Sequence, residues 1–447
     1  YTIYEYDEDP TTNVTTVEVH YRISNVSRTV NMSTSHTENF SMPFGPEWSY
    51  DTGGEIHAVA ISADGEYAVV GSNNEDERIS LFQKGNSTPL WSFDGDGVNS
   101  VAISSEGNYF ITGLGDDLYF FGSSDSDPIW TYDTNGGSIK TVSISAEGEH
   151  MVASANNDKI YVFSESSNNP IWTYEFDDGI KSLAMSADGN YIAVVSDKLF
   201  LFEIESSIPL WTYNPGSTMS LNAVDISSDG NYVVVGSGGN QEGDDNNIFL
   251  FGKGNSTPLW QYESSDDIKT VSISADGSFL SAGTTDSKVF IFGRESSTPI
   301  RTFTLGSGSE DIWLVDISAN GSYIVANSHS DYTYLLSKDS DTPIWSYNLG
   351  SNGLPVSISA DGKYILSGNY GGDVFLFKNT LVDSPFVFSY GPNSDGIAST
   401  SPQLSWFASS DDRANLTFDV YLDTDSDPTT KVADDITTFY HNLECLD

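Results

Sequence analysis

Residues Pro258–Gly293 read PLWQYESSDDIKTVSISADGSFLSAGTTDSKVFIFG, and this unit recurs eight times along the 447-residue chain. Each copy opens with Pro, an aliphatic residue and usually Trp, as in Pro89-Leu90-Trp91 and Pro343-Ile344-Trp345. A short acidic or glycine-rich loop comes next, then an alternating run such as Ile268-Lys269-Thr270-Val271-Ser272-Ile273-Ser274. A turn of the form Ser-Ala-Asp-Gly leads to a second apolar run, and a polar turn leads to a third that ends in Phe. The turn glycines, Gly65, Gly107, Gly148, Gly189, Gly230, Gly277, Gly321 and Gly362, are 42, 41, 41, 41, 47, 44 and 41 residues apart. A fixed period of that length, with four short strands per unit, is the signature of a β-propeller. The expected fold is all-β: an eight-bladed propeller over residues 46–380 with flanking β-sandwich segments.

The third runs, Ile79–Phe82, Leu118–Phe121, Ile160–Phe163, Leu199–Phe202, Ile248–Phe251, Val289–Phe292 and Val374–Phe377, lack polar alternation. Strands of that kind are buried on both faces, as between neighbouring blades. Only Tyr332–Leu336 departs from the pattern. The Asp-Gly pairs at 64–65, 188–189, 229–230, 276–277 and 361–362 supply the positive φ of tight hairpins, which accounts for these aspartates without a catalytic role. Trp48, Trp91, Trp130, Trp172, Trp211, Trp260 and Trp345 occupy one equivalent position, and Arg301 takes it in the remaining copy. An aromatic residue recurring once per repeat reads as inter-blade packing. The phase of the repeat predicts how the ring closes: Glu47–Tyr50 completes the blade that contains Tyr364–Phe377, leaving no open sheet edge.

Lys and Arg number 18 against 64 Asp and Glu, a formal net charge of −46. No basic face exists to release phosphate counterions, which excludes a general nucleic-acid binder. Cys445 is the one cysteine, so an intrachain disulfide cannot form, and no run of 18 apolar residues is present to span a membrane. The chain begins at Tyr1, which suggests a removed signal peptide or a longer precursor. Asn-x-Ser/Thr acceptors occur at Asn13, Asn25, Asn31, Asn39, Asn86, Asn255, Asn320 and Asn415. Four of them within the first 40 residues point to a secreted, glycosylated protein, although a Ser/Thr-rich chain produces some by chance.

Residues 1–45 stand outside the repeat as a β-hairpin and linker. Val17, Val19, Tyr21 and Ile23 alternate with polar residues as a half-buried strand does, and a lone hairpin needs a partner. Residues 381–447 change character again, with apolar runs at 385–390, 402–406 and 416–422.

The Ser-Ala-Asp-Gly turn and the Phe-ended strand resemble WD-repeat propellers. The regular Pro-Leu-Trp is similar to the tryptophan-docking repeats of eight-bladed quinoprotein-like propellers. Together they resemble the propeller repeats of archaeal surface proteins, over about three quarters of the chain. The Trp-Asp pair and loop His of WD repeats are absent, as is the adjacent cysteine pair of quinone enzymes. The resemblance therefore implies the scaffold and gives no support for quinone chemistry. Residues 381–447 resemble the early strands of a fibronectin type III domain that stops before its last two strands, at about 65 residues where such a sandwich has about 100.

No nucleophile–base–orienter set can be assembled, and the six histidines are not at metal-ligand spacing. An enzyme is therefore not expected. Asp423-x-Asp425-x-Asp427 sets oxygen ligands at alternate positions, as calcium loops do, without the glycine and distal glutamate of an EF-hand; a solvated acidic turn is the alternative. The loops after the Trp strands carry Asp51, Asp94, Asp96, Asp133, Asp177, Asp178, Asp266, Asp267, Glu310 and Asp311, and propeller geometry gathers them on one face. The functional expectation is an extracellular or cell-surface structural protein, a filament subunit whose hairpin strand is donated to the open sandwich of an identical copy. The alternatives are a secreted propeller that binds a glycan or cation, and chain ends that are remnants of adjoining domains.

Overall fold

The computed structural model describes residues 6–9, 14–22, 45–73, 78–95, 97–216, 219–238, 246–306 and 310–382, with strands at Gln403–Ser405, Phe418–Asp423, Lys431–Ile436 and Tyr440–Asn442. All regular elements among the described residues are strands. The chain divides into two units, Pro43–Asn379 and a second formed from both chain ends, Tyr1–Met42 with Thr380–Asp447.

The larger unit is an eight-bladed propeller of four-stranded antiparallel sheets. The inner strands, in blade order, are Glu55–Ile61, Val98–Ile103, Ile139–Ile144, Ser182–Met185, Leu221–Ile226, Ile268–Ile273, Ile312–Ile317 and Gly353–Ile358. Each lies beside the next around the ring, and the eighth returns beside the first. Seven blades use consecutive strands. The eighth takes its outer strand, Trp48–Asp51, from the start of the repeat region, with Trp48 opposite Leu376 and Tyr50 opposite Val374. The ring closes as the repeat phase predicts, and closure satisfies the edge that Asp373–Lys378 would otherwise expose.

Second and third strands are buried on both faces, and Phe82, Phe121, Phe163, Phe202, Phe251 and Phe292 are fully enclosed between sheets. The irregular third run of blade seven still forms a strand, Tyr332–Ser337. Its Thr333 Oγ1 donates to Asn327 Oδ1 (2.7 Å), and Asn327 Nδ2 donates to Ser367 Oγ of blade eight (3.1 Å). Polar side chains replace apolar ones there because they satisfy one another.

In the smaller unit a sheet runs in the order Tyr6–Asp9, Val14–Arg22, Phe418–Asp423, Lys431–Ile436. Val14–Arg22 and Phe418–Asp423 are parallel, with Val17 opposite Phe418, Val19 opposite Val420 and Tyr21 opposite Leu422. The donor-strand residues Val17, Val19 and Tyr21 are thus paired within this chain; Ile23 lies outside the described residues. The reason is the mutual need of a hairpin that is unstable alone and a strand with a free edge.

Candidate functional site

Each Ser-Ala-Asp-Gly turn divides its work between its four residues. In blade six Gly277 N donates to Ser274 O, Ser274 Oγ donates to Asp276 Oδ1 (3.0 Å), and Asp276 Oδ1 also accepts from Ser278 N (2.9 Å). The alanine is left to face the next blade. Ala63 N donates to Ser105 O (2.8 Å), Ser105 N to Ala146 O (2.8 Å), and the series continues until Ala360 N donates to Ala63 O (2.9 Å). Eight such bonds make a closed girdle around one face of the propeller. Its one shift of register is in blade four, where Asp188 N rather than Ala187 N donates to Ser228 O. A cleft of about 380 Å³ opens at that shift, lined by Ser145, Glu147, Glu149, Asp188 and Asp229 among others.

The recurring tryptophans fasten neighbouring blades. Trp91 Nε1 donates to Ser123 O (3.0 Å), Trp130 to Glu165 O (3.0 Å), Trp172 to Ile204 O (2.7 Å), Trp211 to Lys253 O (2.7 Å) and Trp260 to Arg294 O (2.7 Å). In each pair the acceptor follows the third strand of the next blade. The Trp260 ring also lies tilted against Phe292 of that blade, centroids 5.4 Å apart, and Trp345 likewise against Phe377 at 5.1 Å. Most of these indoles are half-buried, with Trp345 the most enclosed. Arg301 keeps the same contact by different chemistry: its Nε donates to Ser340 O (3.3 Å) and pairs with Asp341 (3.1 Å).

Because the Ser-Ala-Asp-Gly turns touch one another on one face, every inner strand starts from the opposite face. The acidic loops lie there, as expected. Asp51, Asp94, Asp133, Asp177 and Asp178 are exposed, while Asp266, Asp267, Glu310 and Asp311 are half-buried; Asp96 lies outside the described residues. Several brace their own loops, as Asp51 Oδ1 does by accepting from Gly53 N (2.8 Å) and Asp133 Oδ1 from Asn135 N (2.6 Å). Inside this acidic rim the inner strands carry other chemistry. In seven blades, all but blade four, the register shifts near the start of the inner strand, as between Ile139 and Thr141 or Ile268 and Thr270. The bulged residue is Asn99, Lys140, Asn222, Lys269 and Trp313 in blades two, three, five, six and seven, and Lys181 stands just before the inner strand of blade four, which has no shift. The recurrence of Ile-Lys-Thr or Ile-Lys-Ser at 139–141, 180–182 and 268–270 is a signal in the sequence, but nothing in it says that the three lysines share one mouth.

Deeper along the channel are two carboxylates. Asp225 Oδ2 accepts from Ile273 N of the next blade (2.8 Å) and from Ser272 Oγ (3.2 Å), while Oδ1 accepts from Ile226 N (2.8 Å). Asp316 repeats this two blades further, accepting from Ile358 N (3.0 Å) and Ser357 Oγ (3.2 Å) of the blade after it. The inner strand is a sheet edge, and these aspartates satisfy N–H groups it leaves without a strand partner. Burial pushes Asp225 up to about 7 against the opposing pull of its backbone donors, with the Asp316 charge adding to the rise. Burial likewise raises Asp316. Both border the channel, so part of each side chain still meets solvent.

Of the glycosylation acceptors, Asn86, Asn255 and Asn320 are exposed in the connections between strands. Asn13, Asn25, Asn31, Asn39 and Asn415 lie outside the described residues. Asp423 ends the strand Phe418–Asp423, and Asp425 and Asp427 lie outside the described residues. No helix among the described residues is long and apolar enough to cross a membrane.

The family described as outer membrane protein assembly factor BamB, a PQQ-type repeat family, matches residues 75–347, more than half of the chain. No curated protein matches it. Among solved structures the chain is similar to Sqt1 of Chaetomium thermophilum bound to the N-terminus of ribosomal protein L10, at 16% identity and TM-score 0.64 over 75% of this chain and 100% of that one. It is also similar to the C-terminal WD40 domain of Sif2 (13%, 0.64, 75% and 98%) and to the computationally designed Ika8 protein (13%, 0.62, 74% and 98%). At such identities the likeness shows the fold alone.

Proposed function

The chain belongs to that PQQ-type propeller family, and on this premise we propose that it is a protein-interaction propeller of an extracellular or cell-surface assembly, binding rather than catalytic. The observation that carries this reading is the closed ring. Strand closure at Trp48–Asp51 gives the last blade its fourth strand, and the backbone girdle ties all eight blades together on one face, a rigid scaffold whose faces and loops are offered to partners. The Sqt1 propeller bound to an N-terminal protein segment is a precedent for that use. The acidic composition, the sequons and the exposure of Asn86, Asn255 and Asn320 support an extracellular, glycosylated protein of the archaeal surface kind. Immunogold labelling of intact native cells, with glycan mapping by mass spectrometry, tests this. Surface label and modified asparagines support it; label confined to the cell interior with unmodified asparagines overturns it.

A second reading concerns assembly. The smaller unit is made of both chain ends, and the register that sets Val17 opposite Phe418 within one chain is available between copies as a strand exchange. Donor hairpin and acceptor strand are different surfaces, so such contacts propagate head to tail rather than closing. In this reading residues 381–447 are a fibronectin type III-like sandwich completed by the hairpin of another copy. Electron microscopy of the chain with and without residues 1–24 decides it: filaments unchanged by the deletion refute exchange.

A further inference from the structure

The loop face of the propeller carries a charge pattern that alternates with distance from the axis. At the centre, Lys140 and Lys269 occupy the second position of their inner strands, and Lys181 the matching position just before Ser182. All three are exposed. For Lys140 and Lys269 a bulge explains the exposure, since an extra residue in one strand leaves the ladder and turns out of the sheet; Lys181 has no bulge and keeps its main-chain bond to Val195 O (2.9 Å). Asn99 and Asn222 extend the same arc, with Asn99 Nδ2 donating to Ile139 O (2.8 Å) and Asn222 Nδ2 to Gly238 O (3.0 Å). Lys181 Nζ donates to Ser220 Oγ.

Elsewhere in this acidic chain lysines are held by carboxylates. Lys84 holds Glu66 at 2.8 Å, Lys159 holds Glu175 at 3.3 Å, Lys198 holds Asp197 at 2.7 Å and Lys338 holds Asp339 at 2.7 Å. Among the described residues Lys140, Lys181 and Lys269 form no ion pair. Blade seven replaces the lysine with Trp313, 41% exposed, beside Leu314, 37% exposed, and the indole lies 5.8 Å from the His329 ring. Outside this centre stand Asp94, Asp133, Asp177 and Asp178, in the loops that run from outer strands towards inner ones.

A complementary ligand carries an anion at its tip and cations behind it. At ordinary ionic strength the Debye length is about 8 Å, so the tip responds to the lysines it touches more than to the net charge of −46. Resting on the interaction-propeller reading, we propose that this mouth captures the carboxylate tip of a basic peptide. The carboxylate sits among Lys140, Lys181 and Lys269, an apolar side chain meets Trp313 and Leu314, and the peptide's lysines or arginines meet the acidic rim.

The test uses the synthetic peptide Lys-Arg-Lys-Ser-Leu-Asp with a free C-terminus, and the same peptide ending in Asn-amide. Both are titrated calorimetrically onto the full chain at about 0.15 M salt. The carboxylate-tipped peptide should bind roughly tenfold more tightly, as the loss of charge-assisted hydrogen bonds implies. Unspecific attraction to an acidic protein predicts the opposite order, because the amide is the more cationic. The triple variant Lys140→Gln, Lys181→Gln, Lys269→Gln, shown by its melting curve to be folded, should reverse the order, and Trp313→Ala should weaken both peptides. Equal or tighter binding of the amide to the wild-type chain, a preserved preference in the triple variant, or no binding of either peptide overturns the proposal. An unchanged affinity in Trp313→Ala removes its apolar side. A chain found inside cells that retains the carboxylate preference refutes the extracellular reading and leaves this site standing; a surface chain without the preference does the reverse.

Discussion

Trp48 Nε1 donates to the main-chain carbonyl of Lys84, 2.8 Å away, and the indole stacks on Phe82 with centroids 5.3 Å apart. Trp48 lies in the outer strand of blade eight, and Lys84 follows the third strand of blade one. The contact that joins five other pairs of neighbours therefore also joins the two ends of the ring. Ala360 N donating to Ala63 O (2.9 Å) closes the same junction on the girdle face. Loss of the first outer strand removes one of these closures and exposes a sheet edge.

A chain of residues 46–380 should accordingly melt cooperatively and remain monomeric, whereas residues 55–380 should aggregate, because Asp373–Lys378 then presents unpaired backbone groups. Size-exclusion chromatography with a thermal scan compares them. Equal stability of the two would show that the N-terminal strand is dispensable.

The docking tryptophans offer a graded series. Trp260→Phe keeps a ring near Phe292 and loses the bond to Arg294 O, which should cost about 1 kcal/mol. Trp260→Ala removes the ring contact as well and should cost about 2–4 kcal/mol, somewhat below a fully buried tryptophan because the ring is half-buried. Urea midpoints measure both, and equal losses would mean the hydrogen bond dominates the contact.

Gly65 has φ +70°, and a Cβ there would lie 2.3 Å from Tyr364 Cδ2 of blade eight. Gly97 has a similar φ of +66° with nothing nearby. Gly97→Ala should cost about 1 kcal/mol, the backbone term alone. Gly65→Ala adds a clash in the packed junction and should cost about 2–4 kcal/mol. Denaturant unfolding of the two variants separates close approach from backbone conformation, and equal losses would argue against the clash.

Asp225 makes stability depend on pH. Its folded pKa is about 7, against an ordinary 3.8, so the native chain keeps a proton that the unfolded chain releases. Below the lower value both states are protonated and the group has no cost. Between the two values folding takes up a proton, and stability falls as pH rises, on the order of 1 kcal/mol per unit. Above about 7 the full penalty of a buried carboxylate is present. Asp225→Asn should therefore gain stability relative to wild type between pH 5 and pH 8, read from urea midpoints at each pH. A difference that is constant with pH would show that the carboxyl is ionised throughout.

The sequence by itself determined the number of blades, their phase, the closing strand and the turn chemistry. These are local properties repeated eight times: Gly65 and Gly277 announce a tight turn wherever they stand, and Pro-Leu-Trp marks an outer strand without knowledge of its neighbour. The burial of the third strands was also readable, since Val289–Phe292 has no polar side to show to water. Tertiary structure alone decided which distant groups meet. Val17 and Phe418 are paired although almost the whole chain separates them, and apolar alternation marks a strand without naming its partner. Lys140, Lys181 and Lys269 read as ordinary polar positions in three separate repeats until ring closure set them around one mouth. The same holds for Asp225, whose raised pKa comes from burial and from a second carboxylate two blades away at Asp316. Periodic sequence specifies each blade because its hydrogen bonds and buried faces are local, whereas charge and proton affinity depend on what the ring brings within a few ångströms.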